Sequence, residues 1–331
     1  MPVVQTEHLK AYYVTKVYGV ERTIQAVDDV SLDIYEDEIL GIAGESGCGK
    51  STLMKVLFGM VKPPLTIMDG SVRYLSDHTT VDISSLDPAA LKSIRWKDIS
   101  YVPQGSMSVL NPVRKIRKTF QDFMGAHQKL SGQQEFQEVV GNHLRTLGLP
   151  VDVLNAYPHQ LSGGMQQRVT IALATILHPR VIFADEPTTA LDVVVQRGVI
   201  QLLKNIQKQY NNTVVMVTHD MAVHANLAHR VAIMYAGKLV EVANTRDIFK
   251  NPLHCYSKYL IGSLPKIGDK AYRVSAPGDP PVLSDPPPGC RFQDRCPDRF
   301  VRCCEETPPL REVEEGHTVA CFRVFEEEGM L

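Results

Sequence analysis

The order of apolar and polar residues predicts short strands at the start of the chain, followed by a strand–loop–helix unit. Strands are predicted over residues 12–15, 23–27 and 30–34, and the last of these alternates apolar and polar side chains. Residues 39–43 form a continuous apolar run, which is typical of a strand buried on both faces. A glycine-rich turn and a helical stretch at residues 52–58 come next.

Further along, the pattern predicts a region of helices and loops and then a parallel sheet. From about residue 91 to residue 161 apolar side chains recur at helical spacing, as at Phe120, Met124, Phe136, Val140 and Leu144. From residue 169 onward predicted helices and strands alternate, which indicates a parallel sheet covered on both faces. The predicted strands are 181–184, 213–218 and 230–235, and the predicted helices are 169–177, 193–210 and 221–228.

Composition narrows the class of protein. With 331 residues, 44% of them hydrophobic, the chain can build a sizeable core, so a fully disordered chain is excluded. The formal net charge of −2 argues against a dedicated nucleic-acid binder, which normally carries a basic excess. No apolar run reaches the ~18–20 residues that cross a bilayer, and the first residues lack the pattern of a secretory signal. We therefore expect a cytoplasmic protein.

The strongest single motif is a phosphate-binding loop at residues 44–52, GESGCGKST, which matches G-x-x-x-x-G-K-[ST] without deviation. Glycines let such a loop curl so that its backbone N–H groups point at phosphate oxygens. Lys50 is expected to reach the β- and γ-phosphates, and the Ser51 hydroxyl is expected to coordinate Mg²⁺. The residues expected to bind the nucleotide here are Gly44, Ser46, Gly47, Cys48, Gly49, Lys50, Ser51 and Thr52.

A second motif places two carboxylates at the end of a buried strand. Residues 181–187 read VIFADEP, and the carboxyl ends of strands are where ligands bind in open α/β sheets. Asp185 is expected to hold Mg²⁺, and Glu186 is expected to polarise the attacking water as a general base.

A third motif, LSGGMQQR at residues 161–168, predicts a second phosphate-binding helix end. Ser162 can cap this helix, and Gly163 and Gly164 expose its N-terminal amides. A single chain does not need two phosphate-binding helix ends for one nucleotide. Two such ends are useful in a dimer, if each chain offers this second end to the ATP held by the other chain.

These motifs together resemble the ATP-binding subunit of ABC transporters. The resemblance covers about residues 10–245 and implies an α/β P-loop core with an antiparallel β subdomain and a helical subdomain. It makes Gln104 the residue that senses Mg²⁺, the attacking water and the transmembrane partner, and His219 the switch residue for the γ-phosphate. It also implies that Gln166 belongs to the signature motif, Asp192 to the loop that follows the carboxylates, and Tyr18 to the adenine site, with Tyr13 as the alternative. The implied catalytic residues are Glu186, His219, Gln104 and Lys50, and the implied Mg²⁺ ligands are Ser51, Gln104 and Asp185.

The end of the chain carries a cysteine cluster. Five of seven cysteines fall within the last 42 residues, which in a cytosolic protein favours metal over disulfides. Residues 251–260 and 289–297 resemble the C-terminal extension of the peptide, nickel and opine importer group. That resemblance implies a [4Fe–4S] cluster on Cys290, Cys296, Cys303 and Cys321, and Zn²⁺ is the alternative metal. Cys304 could replace Cys303.

The expected domains are an ATP-binding domain at 1–250, with a helical subdomain at about 91–168, and a cysteine-rich extension at 251–331. Six prolines at 277–288 predict an extended linker, and the cysteine cluster spans 290–321. The resemblance implies an ATPase on the cytoplasmic face of the membrane that drives peptide import. It would work with a second, different ATPase subunit, two permeases and an extracytoplasmic binding protein. Oligosaccharides, nickel or opines are alternative cargoes.

Two other classes of function stay open at this point. One is an ABC ATPase that acts on nucleic acid or ribosomes. Only about 57 residues separate Gln104 from Ser162, which leaves no room for the long coiled coil of the DNA-repair members. The other is a redox protein in which the nucleotide site only regulates, and the complete set of Asp185, Glu186 and His219 argues against it. We expect neither ribosomes nor nucleic acid as partners.

Overall fold

A computed structural model describes residues 1–76, 80–105, 109–128, 132–264 and 276–329 of the chain. The chain forms two compact units. The first unit comprises Met1–Leu86 and Val217–Leu331, and the second comprises Asp87–Met216. The C-terminal segment is thus part of the same compact unit as the phosphate-binding loop. The predicted domain boundary at residue 250 stays a prediction.

An antiparallel sheet opens the first unit, as the sequence resemblance implied. Its strands are β1 Pro2–Val17, β2 Val20–Tyr35, β4 Leu65–Leu75 and β5 Thr80–Asp82, in the order β2-β1-β4-β5. β2 is a single long strand where the sequence pattern predicted two short ones. β1 pairs with both β2 and β4 through several register shifts.

A second sheet of the same unit contains the strand that precedes the phosphate-binding loop. Strand β3, Ile39–Ala43, has all five residues buried and pairs in parallel with β9, Arg230–Tyr235. The order continues outward through β10, Lys238–Asn244, to β12, His317–Val319, and β11, Arg311–Glu314. The helices of this unit are α1 Lys50–Leu57, α7 Met221–Leu227, α8 Thr245–Lys250, α9 Cys255–Gly262, α10 Val301–Glu305 and α11 Phe322–Glu327.

The C-terminal extension adds strands to the sheet. β12 pairs antiparallel with β10, and β11 pairs with β12. Behind this edge the rings of Tyr235, Tyr256 and Phe292 pack together, with centroids 4.6–5.5 Å apart. The proline-rich residues 277–288 form neither helix nor strand, and Gln25 N–H donates to the Leu283 carbonyl at 2.9 Å. This part of the chain is therefore anchored to β2.

The second unit combines three strands with helices. Its strands are β6 Ile99–Val102, β7 Val181–Asp185 and β8 Thr213–Val217, in the order β8-β7-β6, and its helices are α2 Pro88–Ile94, α3 Ile116–His127, α4 Gln133–Thr146, α5 Gly163–Thr175 and α6 Val193–Tyr210. The helical spacing predicted for α3 and α4 is confirmed, since Phe120, Met124, Phe136, Val140 and Leu144 are all buried.

The prediction of only helices and loops before residue 161 was wrong at β6. All four residues of β6 are buried, and the strand pairs in parallel with β7. A run of four residues is too short for its period to identify it in the sequence. Among the helices of the described residues, none has both the length and the apolar character that a bilayer crossing requires.

Candidate functional site

The loop between β3 and α1 has a backbone that requires glycine. Gly44, Gly47 and Gly49 have φ values of 150°, 80° and 107°, in the region that disfavours side chains. A Cβ on Gly44 would lie 2.1 Å from the Met234 carbonyl oxygen, and one on Gly49 would lie 1.9 Å from the Ala26 carbonyl oxygen. Gly44 and Gly49 are therefore needed for both conformation and space, whereas Gly47 is needed for its conformation alone.

Lys50 begins α1, and its ammonium group points back into the loop. Its Nζ donates to the carbonyl oxygens of Gly44 and Glu45, each at 2.8 Å, and the residue is only 6% exposed. Cys48 lies beside it, with Sγ 3.5 Å from Nζ, and burial raises the pKa of this thiol. The loop thus holds a buried positive charge on its own carbonyl groups.

Glu45, which sequence reasoning did not single out, is held at three points. Its backbone N–H donates to the Tyr256 hydroxyl at 2.7 Å, and its carbonyl accepts from Lys50. Its carboxylate accepts from both terminal nitrogens of Arg295, at 2.9 and 3.1 Å. Both outer partners belong to the C-terminal part of the chain.

The two tyrosines proposed for adenine lie in different environments. Tyr18 stands fully exposed in the turn between β1 and β2, with φ 50°. Tyr13 is partly buried, and its hydroxyl lies 3.2 Å from Oγ1 of Thr52, a residue of the phosphate-binding loop motif. The assignment of Tyr18 stays a prediction.

His219 lies just before α7 and is exposed. The nearby His224 was missed by sequence reasoning. It is fully buried, and its Nε2 lies 3.2 Å from the Thr218 carbonyl oxygen. Burial lowers the pKa of His224 to about 4, so the ring is neutral at pH 7. A Cβ on Gly41 of β3 would lie 2.2 Å from its Nδ1, so the ring packs directly on the strand that precedes the loop.

In the second unit, Asp185 ends the fully buried strand β7 and is 2% exposed. Tyr101 of β6 donates its hydroxyl hydrogen to Asp185 Oδ2 at 2.8 Å. The parallel pairing of β6 with β7 brings Tyr101 opposite Phe183, two residues before Asp185. The hydrogen bond from this buried hydroxyl therefore fixes the orientation of the Asp185 carboxylate, so that it is positioned to bind a ligand.

Glu186 and Gln104 are brought together. The Gln104 side-chain amide donates to Glu186 Oε2 at 2.8 Å, and the Thr189 hydroxyl donates to the same oxygen at 2.8 Å. Glu186 has φ 46°, a conformation uncommon for residues other than glycine. Strained backbone of this kind often accompanies functional side chains.

The signature motif forms a capped helix start, as predicted. Ser162 Oγ accepts from the Met165 N–H at 3.3 Å, and α5 begins at Gly163. The Gln166 side-chain amide donates to the carbonyls of Pro158 and Leu161 at 2.9 and 3.1 Å, so it fixes the segment that precedes α5.

Asp192 caps the following helix in the same way. Its Oδ1 accepts from the N–H groups of Val194 and Val195 at 3.0 and 2.9 Å, and α6 begins at Val193. The side chains of Val193 and Val194 in this first turn are about 80% exposed.

The cysteine cluster surrounds a small cavity of about 20 Å³ in the first unit. The four predicted thiols, those of Cys290, Cys296, Cys303 and Cys321, line it, and Cys255 joins them. Cys304 is absent from the lining, and its Sγ lies 3.9 Å from the Phe300 carbonyl oxygen. The seven cysteines are all free thiols. Within the described residues, no three His, Cys, Asp or Glu side chains are arranged to hold a single metal ion.

The thiols differ in their acidity. Burial raises the pKa of Cys290 to about 12 and also raises those of Cys303 and Cys321. A hydrogen bond with the Cys255 thiol lowers the pKa of Cys296 to about 7. Most of these groups are therefore neutral at pH 7, and a bound cation would be needed to hold them as thiolates.

Comparison with known proteins identifies the family. A family model described as "ABC transporter" matches residues 27–189, and one described as "Oligopeptide/dipeptide transporter, C-terminal region" matches residues 240–303. The dipeptide transport ATP-binding protein DppD of Caldanaerobacter subterraneus is 42% identical over 327 residues, covering 98% of each chain. The chain belongs to the ABC transporter ATP-binding subunits.

Other members of this family are also similar to the chain over most of its length. The DppD protein of Bacillus subtilis is 39% identical, covering 97% of this chain and 94% of its own. The oligopeptide transport ATP-binding protein OppD of Escherichia coli is 36% identical, covering 92% of this chain and 89% of its own. The solved dimer of the ABC cassette MJ0796 with ADP and Pi has a TM-score of 0.63 at 30% identity, covering 73% of this chain and 99% of that one.

These likenesses confirm the fold class and the activity. The chain has the ATPase cassette of an ABC transporter, with an antiparallel sheet and a helical part, and it hydrolyses ATP for transport.

Proposed function

We propose that this subunit hydrolyses ATP to drive the import of dipeptides or oligopeptides. The match of residues 240–303 to the C-terminal region of oligopeptide/dipeptide transporters carries this proposal, because that region lies outside the ATPase core common to all ABC proteins. The names of relatives that align over nearly the whole chain, such as the DppD proteins, support it.

In this proposal Lys50 binds the terminal phosphates. Its ammonium donates to two carbonyl oxygens of the loop, and a phosphate oxygen would compete with them for it. Backbone N–H groups of the glycine-rich turn and of the start of α1 would bind the remaining oxygens. Ser51, Gln104 and Asp185 would hold Mg²⁺, which neutralises charge on the phosphates when bound. His219 would contact the γ-phosphate.

Glu186 is the proposed general base. Oε2 of its carboxylate accepts hydrogen bonds from Gln104 and Thr189. These two bonds fix the position of the carboxylate that would orient the attacking water. A change in the Gln104 contact would therefore alter the base directly. Because Gln104 is also the residue expected to sense the transmembrane partner, this hydrogen bond offers a route by which the transporter controls hydrolysis.

The nucleotide is proposed to lie between two ATPase subunits. The helix start at Ser162, Gly163 and Gly164 would bind the phosphates held by the opposite subunit, with Asp192 at the same interface. The solved dimer of a related cassette with ADP and Pi supports this arrangement. We propose that the second subunit is a different ATPase chain.

The four cysteines on the small cavity are proposed to bind a [4Fe–4S] cluster, with Zn²⁺ as the alternative. Four thiols are the donors that such sites use, and they line one cavity, although among the described residues no three are already arranged to hold a single metal ion. The cavity volume of about 20 Å³ is that of about one water, so its walls would have to move apart to admit a cluster. Iron, sulfide and zinc contents of anaerobically purified protein distinguish the two metals, and Cys303→Ser should lower the content whereas Cys304→Ser should not.

The remaining assignments follow from the same proposal. The subunit would lie on the cytoplasmic face of the membrane, bound to two permeases, while an extracytoplasmic binding protein selects the cargo. Oligosaccharides, nickel and opines are the alternative cargoes.

The test is ATP turnover by the complete transporter in vesicles, with its binding protein inside. We expect dipeptides or oligopeptides to raise turnover severalfold over the solute-free rate. The same rise with an oligosaccharide, and none with peptides, would overturn the assigned cargo. Binding to nucleic acid or ribosomes instead of permeases would overturn transport as the function.

A further inference from the structure

The segment between the first two clustered cysteines inserts three side chains into the nucleotide-binding unit. Arg291 and Arg295 are both 6% exposed, and Phe292 is 1% exposed. Phe292 packs on Tyr235 and Tyr256. This segment is therefore packed into the unit that carries the phosphate-binding loop.

Arg295 contacts that loop directly. Its guanidinium binds the Glu45 carboxylate through both terminal nitrogens, at 2.9 and 3.1 Å. The Tyr235 hydroxyl lies 3.2 Å from the same guanidinium, and its remaining N–H groups donate to the carbonyls of Ala276 and Pro277. Two parallel bonds between a guanidinium and a carboxylate fix both the position and the orientation of the acid.

Arg291 anchors the same segment to β2. It binds the carboxylate of Asp28 in β2, the Gln25 side chain and the carbonyl of Ala236. Lys238 also pairs with Asp28, at 3.0 Å. Two arginines four residues apart thus anchor one short cysteine-bounded segment to β2 and to the phosphate-binding loop.

The contact between Arg295 and Glu45 matters because of the charge of Glu45. Glu45 is the second residue of the loop, and an unpaired carboxylate there would repel the triphosphate. Arg295 neutralises that charge in a partly buried pair, since the side chain of Arg295 is 7% exposed and that of Glu45 is 31% exposed. Partial shielding from water makes the attraction stronger than it would be in bulk solvent. Tyr256 holds the backbone N–H of the same residue at 2.7 Å, and the Glu45 carbonyl holds Lys50.

We propose that Arg295 is a positioning residue of the nucleotide site, and that it couples the cysteine cluster to ATP affinity. Arg295 ends the 3-10 turn Gln293–Arg295, and Cys296 follows it directly. Whatever is bonded to Cys296 therefore constrains the turn that carries Arg295. Coupling of this kind is reciprocal, so nucleotide binding in turn stabilises the cysteine segment. The inference concerns ATP binding and is independent of the transported solute.

The first experiment measures the affinity of the full chain for Mg·ATP in variants of this pair. Arg295→Met should weaken binding about tenfold, because it leaves the carboxylate charge unpaired. KM for ATP should rise with it while kcat changes little. Arg295→Lys, which keeps the charge, should lose less than Arg295→Met. The matched control is Arg299→Met, since Arg299 lies three residues beyond Cys296, is exposed, and pairs with the exposed Asp294 at 3.5 Å.

The decisive arm is a second change in the same pair. Glu45→Gln removes the repelling charge, so adding Arg295→Met to it should change affinity by no more than about twofold. If Arg295 served only to hold the fold, its loss would weaken binding equally in both backgrounds. Equal losses, or an Arg295→Met variant with the affinity of Arg299→Met, would overturn the proposal.

Hydrogen exchange of the unmodified full chain tests the coupling without any substitution. Mg·ATP should slow amide exchange in residues 290–296 as well as in residues 44–52. Slowing confined to 44–52 would contradict the proposed link to the cysteine segment.

Discussion

Glu241 should be a main anchor of the C-terminal extension. It lies on β10 with no exposed surface, and its carboxylate accepts from the backbone N–H groups of Leu253 and His254 at 2.8 and 2.9 Å. Nε2 of His317 on β12 lies 2.8 Å from Oε1. Although burial alone would raise the pKa of Glu241, the hydrogen bond from His317 and the two backbone N–H groups hold it below its usual range.

The change Glu241→Gln keeps the shape but replaces one acceptor oxygen with a donor. The Leu253 N–H and His317 share Oε1, while the His254 N–H uses Oε2. The amide group must therefore face at least one N–H. A hydrogen bond to a charged acceptor contributes about 1.5–3 kcal/mol, and a buried donor left unpaired costs about 1–3 kcal/mol. We expect a loss of roughly 2–4 kcal/mol in the free energy of unfolding.

Urea unfolding followed by circular dichroism measures this loss, with the slope checked for a constant value. The control is Glu315→Gln, an exposed position in the turn between β11 and β12. If the two variants unfold at the same urea concentration, the buried carboxylate does not anchor the extension, and the reasoning fails.

Three further predictions follow from the site and the core. Glu186→Gln should lower ATP turnover at least about a hundredfold while Mg·ATP still binds, as phosphate release and equilibrium binding would show; unchanged turnover would exclude it as the base. Gly49→Ala should abolish nucleotide binding and lower the melting temperature, because its Cβ would lie 1.9 Å from a carbonyl oxygen; a variant that still binds ATP would contradict the loop geometry. Burial lowers the pKa values of His143, His224 and His254 to about 4, so the unfolded chain takes up protons below pH 6.5 that the folded chain does not. Stability should therefore fall from pH 7 toward pH 4, by up to about 3 kcal/mol for each ring, and chemical unfolding at several pH values would detect a flat profile if this is wrong.

Much of the fold could be predicted because local patterns are strong where the chemistry lies. The strands predicted at residues 39–43 and 181–184 are fully buried apolar runs, and each leads directly into a motif. Ser162 and Asp192 cap helices where their residue types indicate caps. Gln104 was assigned to the site only by the family resemblance, and its contact with Glu186, across 82 positions of the chain, was not predicted.

The contacts that the sequence did not predict join residues far apart. Tyr256 reaches Glu45 across 211 positions, and Arg295 reaches it across 250. No local period signals such a contact, and an arginine beside a cysteine is usually a surface residue. The edge strands β11 and β12 are three or four residues long and become strands by pairing with β10 and with each other.

We propose that two ATPase subunits share each nucleotide. The most direct measurement is a structure of the Glu186→Gln subunit paired with its partner ATPase and loaded with Mg·ATP. We expect the γ-phosphate to lie between Lys50 and His219 of this chain and the signature serine of the partner, with Ser162 of this chain at the second nucleotide. A loaded pair in which the triphosphate lies far from residues 162–164 and from the partner's signature motif would contradict it.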